Sequence, residues 1–253
     1  MNDFSKYAYN KLALSAVACA FLVACGGGGG GGSATGGTTP VTPAPTVAFD
    51  AAAAQGRWIQ GDLTALVLPA QAGAAEVWMV NQTPTSLYKY EVASTGKLTG
   101  YKYPLTGSGV RENLSGDITL TTSTTPKTLS FANSTLSVYT LSLSDALSGA
   151  SSLADVAGNW TFTVNQGAVK FDATISATGA FAASTVSDDC TYAGQLSNTS
   201  AATVYKISYQ STCQGVVSSM SGVARWVSAS NALAILAASA DGQSGSLISM
   251  KKP

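Results

Sequence analysis

Apolar and polar side chains alternate along this chain with a period of two, and that pattern constrains its fold more than any other feature. Val169, Phe171, Ala173 and Ile175 fall on one side of Lys170, Asp172, Thr174 and Ser176. Thr203, Tyr205, Ile207 and Tyr209 oppose Val204, Lys206, Ser208 and Gln210, while Trp160, Phe162 and Val164 alternate with Thr161, Thr163 and Asn165. Successive side chains of a strand point to opposite faces, so each segment fits a half-buried antiparallel strand. Turn residues separate such segments at Ser94-Thr95-Gly96, Thr106-Gly107-Ser108-Gly109, Asn165-Gln166-Gly167, Thr178-Gly179 and Asp241-Gly242. Turns at this spacing suit a meander, sandwich or barrel and leave no room for βαβ crossovers. The only helix-prone pieces are Phe49 to Gln55 and Ser144 to Val156.

Each helix-prone piece leads into a similar phrase. Ala-rich residues run into Gly56-Arg57-Trp58, and Leu153-Ala154-Asp155-Val156-Ala157 runs into Gly158-Asn159-Trp160, an offset of 102 residues. Both are followed by about eight short strand candidates, which argues for an internal duplication of a unit near ~95 residues.

The N-terminal segment has a different character. A start carrying Lys6 and Lys11 gives way to an apolar run from Leu12 to Ala24, and then to Cys25. This is the layout of an export signal, and the run is shorter than the ~20 residues that span a bilayer. The ending Leu22-Val23-Ala24-Cys25 resembles the lipobox of bacterial lipoproteins. That resemblance implies cleavage before Cys25, a diacylglycerol on its sulfur and acylation of the new N-terminus, giving three chains where about two suffice for stable anchoring. Gly26 in place of aspartate implies, by the same resemblance, the outer membrane. The seven glycines Gly26 to Gly32 are not a phosphate-cradling loop, which needs a strand before, a helix after and a terminal Lys-Ser/Thr. From Gly26 to Pro45 the chain reads as a flexible tether stiffening towards its end, with a reach of ~25 Å.

Removing signal and tether from the 253 residues leaves about 205 to fold, enough for one large domain or two small ones. Apolar content of 45% is ample for a core, and only 10% of residues are charged, so Ser, Thr, Ala and Gly carry the surface. Downstream of the signal there are 11 basic and 12 acidic side chains, with no basic cluster of the kind a nucleic-acid partner needs. Cys19 leaves with the signal and Cys25 is the lipid site, so Cys190 and Cys213 remain in an oxidising compartment, where a pair is most simply a disulfide.

The chain has no histidine, which removes Ser-His-Asp and Cys-His catalysis and His-based zinc sites. Ser86-Leu87-Tyr88-Lys89 matches a Ser-X-X-Lys motif only by falling in a strand. Asp188-Asp189 lacks the spaced ligands of a calcium loop and reads as a solvated turn. Glu76, Glu91 and Glu112 are scattered. Tyr88, Tyr90, Tyr101 and Tyr103 form two Tyr-X-Tyr pairs that would share one face of adjacent strands, alternating with Lys89 and Lys102; they suit either a barrel core or a glycan or protein contact surface. The sequence thus implies neither an enzyme nor a cofactor or metal.

The Gly-X-Trp phrases resemble the opening of the lipocalin and calycin pattern. That resemblance implies an eight-stranded barrel plugged by Trp58 or Trp160, with a late arginine packing on the tryptophan. Arg225 is the candidate for Trp160, and Arg57 a weaker one for Trp58. The layout also resembles two-lobed surface lipoproteins such as the transferrin-binding and factor H-binding proteins. It is still more similar to a set of uncharacterised proteobacterial outer-membrane lipoproteins, through Leu66-Val67-Leu68-Pro69, Glu76-Val77-Trp78 and Cys190-Thr191-Tyr192-Ala193-Gly194.

The expected fold is all-β, an antiparallel meander forming two small eight-stranded barrel-like domains. Residues 1–24 form the signal peptide, 25–47 the lipidated cysteine and tether, 48–145 the first barrel, 146–157 a linker, and 158–253 a second barrel holding the disulfide. The expected role is a non-enzymatic binding or envelope-structural module, anchored to the outer membrane through Cys25 and facing either the periplasm or the cell surface. A protein is its expected partner; the alternative is a lipocalin-like carrier of a small apolar ligand.

Overall fold

The computed structural model describes residues 48–253 apart from 83–84, 106–109, 135–137, 165–168 and 186–189. The signal segment, Cys25, the glycine tether, the turns at Thr106–Gly109 and Asn165–Gly167, and Asp188-Asp189 lie outside the described residues.

Eight strands follow a short helix α1 (Ala51–Ala54): β1 (Gly56–Gln60), β2 (Leu63–Pro69), β3 (Ala75–Gln82), β4 (Thr85–Val92), β5 (Lys97–Pro104), β6 (Glu112–Thr121), β7 (Thr128–Asn133) and β8 (Val138–Asp145). A second short helix, α2 (Leu153–Val156), introduces β9 (Gly158–Val164), β10 (Val169–Ile175), β11 (Ala180–Thr185), β12 (Cys190–Asn198), β13 (Val204–Cys213), β14 (Val216–Val227), β15 (Ala232–Ser239) and β16 (Gly245–Lys251). Each set of eight pairs in sequence order, antiparallel throughout, and closes into a barrel. The first seam joins β1 to β8 through Arg57 with Asp145, Trp58 with Leu143 and Ile59 with Ser142, around a bulge. The second brings Lys251 opposite Thr161.

The period-two pattern sorts side chains between the inside and outside of each barrel. Trp58, Val67, Val77, Met79, Tyr90, Leu98 and Phe131 fill the first interior. Trp160, Phe171, Ile175, Tyr205, Ile207, Tyr209, Trp226 and Ile235 are among those filling the second. Rings meet across the axis. Tyr90 and Phe131, three strands apart, have centroids at 6.0 Å, and Trp160 lies edge-on to Trp226 at 5.4 Å. Closure needs strands that bend sharply. At Gly100 and Gly222 a Cβ would run into the backbone oxygens of Lys89 and Leu236 on the neighbouring strands, so only glycine allows that approach.

The duplicated phrase builds the same plug twice. Asp50 caps α1 by accepting from the Ala53 N–H at 2.9 Å. One residue separates each helix from its strand, and Gly56 (φ 156°) and Gly158 (φ 129°) make the corner. The chain then swings so that Trp58 Nε1 donates to Ala54 O at 2.9 Å and Trp160 Nε1 to Val156 O at 2.8 Å. Both helices are shorter than the sequence suggests. These glycines end them, and Ser144 and Asp145 are held in β8, followed by a left-handed Leu147 (φ 51°).

The two barrels are packed into one compact unit, Val47–Pro253. Leu66, Leu68, Trp78, Val80, Leu87 and Tyr103, facing outward from β2 to β5, join Val204, Val223, Leu236 and Ala238 of β13 to β15 in a third apolar cluster. Burying a large aliphatic side chain contributes ~1.5–3 kcal/mol, so this layer binds the barrels firmly. The barrels lie side by side with their helix ends together. Gln55 Nε2 donates to Ser200 O of the second barrel at 3.4 Å near that end, and at the far end Arg111 Nη1 donates to Gly242 O at 2.6 Å.

Replacing either plug tryptophan, Trp58→Ala or Trp160→Ala, should cost ~3–5 kcal/mol in urea unfolding. Because the barrels share an apolar layer, fluorescence and circular dichroism should report one coincident transition in each variant.

Candidate functional site

Trp58 and Trp160 sit at the helix ends of their barrels, 0% and 1% exposed. The cation that packs on Trp160 is Lys252, in place of the expected Arg225. Its Nζ lies 5.3 Å from the Trp160 ring and 5.5 Å from that of Trp226. Arg225 cannot reach inward, because the adjacent Trp226 takes the interior face of β14 and neighbouring residues of a strand point oppositely. Its guanidinium turns out towards the first barrel, with Nη2 at 4.0 Å from Asp145 Oδ2. Burial and the nearby Arg57 push its pKa down, and Asp145 opposes them. Arg57 likewise faces outward and donates to Ser144 Oγ at 3.1 Å.

Cys190 and Cys213 form the disulfide. They are directly opposite in the β12–β13 register, at the far end of the second barrel, where the bond clamps the start of β12 to the end of β13 beside the turn into β14.

The four tyrosines divide between two faces. Tyr88 and Tyr90 point into the first barrel, whereas Tyr103 belongs to the layer between the barrels, with Tyr101 packed against it. The cause is register: Lys89 pairs with Tyr101 and Leu87 with Tyr103, so the second pair shares the lysine's face. Burial raises the pKa of Tyr88 and Tyr90, and raises those of Tyr205 and Tyr209 to about 12. Ser86 and Lys89 are three residues apart on β4 and so point to opposite faces, which separates the Ser-X-X-Lys pair.

Two grooves remain on the outer surface. One, of about 290 Å³, lies at the junction and is lined by Glu76, Gln195, Ser197, Lys206 and Ser208. Here Glu76 accepts from Trp78 Nε1 at 2.6 Å and from Lys206 Nζ across the junction. Desolvation lowers the Lys206 pKa. The other, of about 340 Å³, lies on β4 to β6 and is lined by Lys89, Glu91, Thr99, Tyr101, Arg111 and Asn113. The register sets Trp78, Lys89, Tyr101 and Asn113 side by side across β3 to β6. Lys89 Nζ lies 5.5 Å from the Trp78 ring and Arg111 Cζ 4.3 Å from that of Tyr101. Sequence reasoning weighed Lys89 and Tyr101 but missed Arg111, which no spacing links to them. Among the described residues no three Cys, Asp or Glu converge on a possible metal position.

Comparison with protein-family models, with curated proteins and with solved structures returns no match.

Breaking the disulfide with Cys190→Ser should lower stability by ~3 kcal/mol, read as a shift of the urea midpoint. The tyrosines carry a pH signature. Their folded pKa values lie above the unfolded value, so their contribution is complete below pH ~10 and lost as pH rises through the folded values. Stability should therefore fall between pH ~10 and ~12, with ultraviolet titration showing a late-ionising tyrosine class.

Proposed function

We propose that this chain is an outer-membrane lipoprotein, anchored through acylated Cys25, whose two barrels act together as a non-enzymatic binding or envelope-structural module. The observation that carries this reading is the polarity of the barrel pair. The described chain comes in at the helix end, where Phe49 N donates to Ser94 O at 2.7 Å, and Lys252 N donates to Asn231 O at 3.0 Å at the same end. A tether of Gly, Thr and Pro would join the barrels at the helix end and leave the far end free of it.

The far end also carries exposed apolar side chains, with Val110 83%, Val138 69% and Val217 57% exposed. Exposed apolar surface of this kind suits contact with a protein partner. Ring contacts across both interiors, such as Trp160 with Trp226, argue for recognition on the outside of the barrels and against carriage of a ligand within them.

Cys25→Ser should move the protein from the membrane fraction to the soluble fraction. Intact-mass analysis of the wild-type protein extracted in detergent should show three acyl chains on a polypeptide starting at Cys25. An unlipidated mass would overturn the anchor, and loss of the lipidated species after protease shaving of whole cells would identify the cell surface as its location.

A further inference from the structure

The groove on β4 to β6 has the chemistry of a small, built binding site. Arg111 is fixed in two ways. Its guanidinium lies on the Tyr101 ring at 4.3 Å, and Nη1 donates to Gly242 O of the second barrel at 2.6 Å. One nitrogen is used and the plane is set, which leaves the remaining N–H donors pre-organised, as a planar fork must be to take a carboxylate or phosphate in two bonds. Lys89, cross-strand neighbour of Tyr101, supplies a second cation.

Among the described residues neither cation forms an ion pair. Lys102, on the other face of β5, is taken by Glu112 at 2.8 Å. Asp241, on the second barrel, has its pKa lowered chiefly by the hydrogen bonds its carboxylate accepts from Ser239 Oγ and then Gln243 N, with Arg111 a smaller cause. Glu91 is the one carboxylate in the groove lining, so the groove carries a net positive charge. The rest of the lining is neutral and polar: Thr99 and Asn113 offer a hydroxyl and an amide, and Gly100 and Leu114 complete it. Two cations are too few for a polyanion such as nucleic acid. The volume of about 340 Å³ suits a sugar unit or two.

We propose that this groove binds an acidic saccharide, with Arg111 and Lys89 taking its carboxylate or phosphate and Thr99, Asn113 and Glu91 bonding its hydroxyls. The proposal deepens the binding-module reading and rests on it, but does not depend on the lipid anchor.

The test is calorimetric titration of the full-length chain in detergent with four probes at 0.15 M salt: tetragalacturonate, mannose 6-phosphate, maltotetraose and inorganic phosphate. One or both acidic sugars should bind, and neither neutral sugar nor free phosphate should match them; which one binds tells carboxylate from phosphate recognition. Arg111→Lys, which keeps the charge but loses the stacked fork, should weaken binding about tenfold, and Lys89→Gln about fivefold. Lys251→Gln, which removes an exposed lysine on β16 of the second barrel, should leave binding unchanged. Circular dichroism of each variant excludes unfolding as the cause, and Lys89→Gln stands as an independent check if Arg111→Lys misfolds. The proposal is overturned if no acidic sugar binds, if free phosphate or maltotetraose binds as tightly, or if Lys251→Gln loses as much as the groove variants. A chain that is lipidated by mass but ignores all four probes fails here and leaves the anchor standing.

Discussion

The apolar layer between the barrels is the constraint on which the rest of the structure depends. A closed strand meander buries one face of each strand and ordinarily presents a polar exterior to water. Here β2 and β15 are apolar on both faces, through Leu66 and Leu68 on one side of the junction and Leu236 and Ala238 on the other. Left alone, the first barrel would expose Trp78, Leu87 and Tyr103, and the second Val204, Val223 and Leu236. Each barrel completes the other's core, and polar contacts then settle around the seal: Glu76 with Lys206, Arg225 facing Asp145, and Arg111 reaching Gly242.

Within each barrel the local lock is the same: a helical turn, a glycine corner, and a tryptophan whose indole N–H returns to the carbonyl four residues back. The lock satisfies a carbonyl at the end of a helix too short to bury it otherwise and places the largest side chain at the barrel's end. Beyond it the halves diverge. The second has a disulfide and a lysine lid over two tryptophans; the first has a tyrosine-rich interior and, on its outer face, the cation-bearing groove.

Much of this was legible in the residues. Alternation such as Phe171-Asp172-Ala173-Thr174-Ile175 reports a strand directly, because the pattern is local and each buried residue is flanked by exposed ones. The all-β class followed from such local signals. The choice of two eight-stranded barrels over a sandwich leaned on the repeated Gly-X-Trp phrase and its resemblance to the calycin opening, and the Cys190–Cys213 bond on the cysteine count. What failed depended on pairing. Whether Tyr101 shares a face with Tyr88 or with Lys89 is decided by a one-residue choice of register between β4 and β5, which neither strand encodes alone. Arg225 is the tryptophan's partner only by resemblance; its place beside Trp226 on one strand sets it on the outer face, and Lys252, just past β16, takes the role. The layer between the barrels left a readable trace in Ala65-Leu66-Val67-Leu68 and Ile235-Leu236-Ala237-Ala238, where alternation gives way to continuous apolar runs, the mark of strands covered on both sides.

The junction joins unlike faces: β2 to β5 of the first barrel meet β13 to β15 of the second, the counterparts of β5 to β7. A contact between unlike faces of repeated units is heterologous, and a repeat that kept both faces sticky would go on adding copies into a filament. In this chain the faces left over are coated otherwise, with Asp172, Thr174, Ser184 and Thr191 exposed on β10 to β12 and Ser115, Asp117 and Thr119 on β6. The divergence of the halves therefore acts as chain termination. One junction forms inside the polypeptide, and the surfaces that would propagate it have been made soluble.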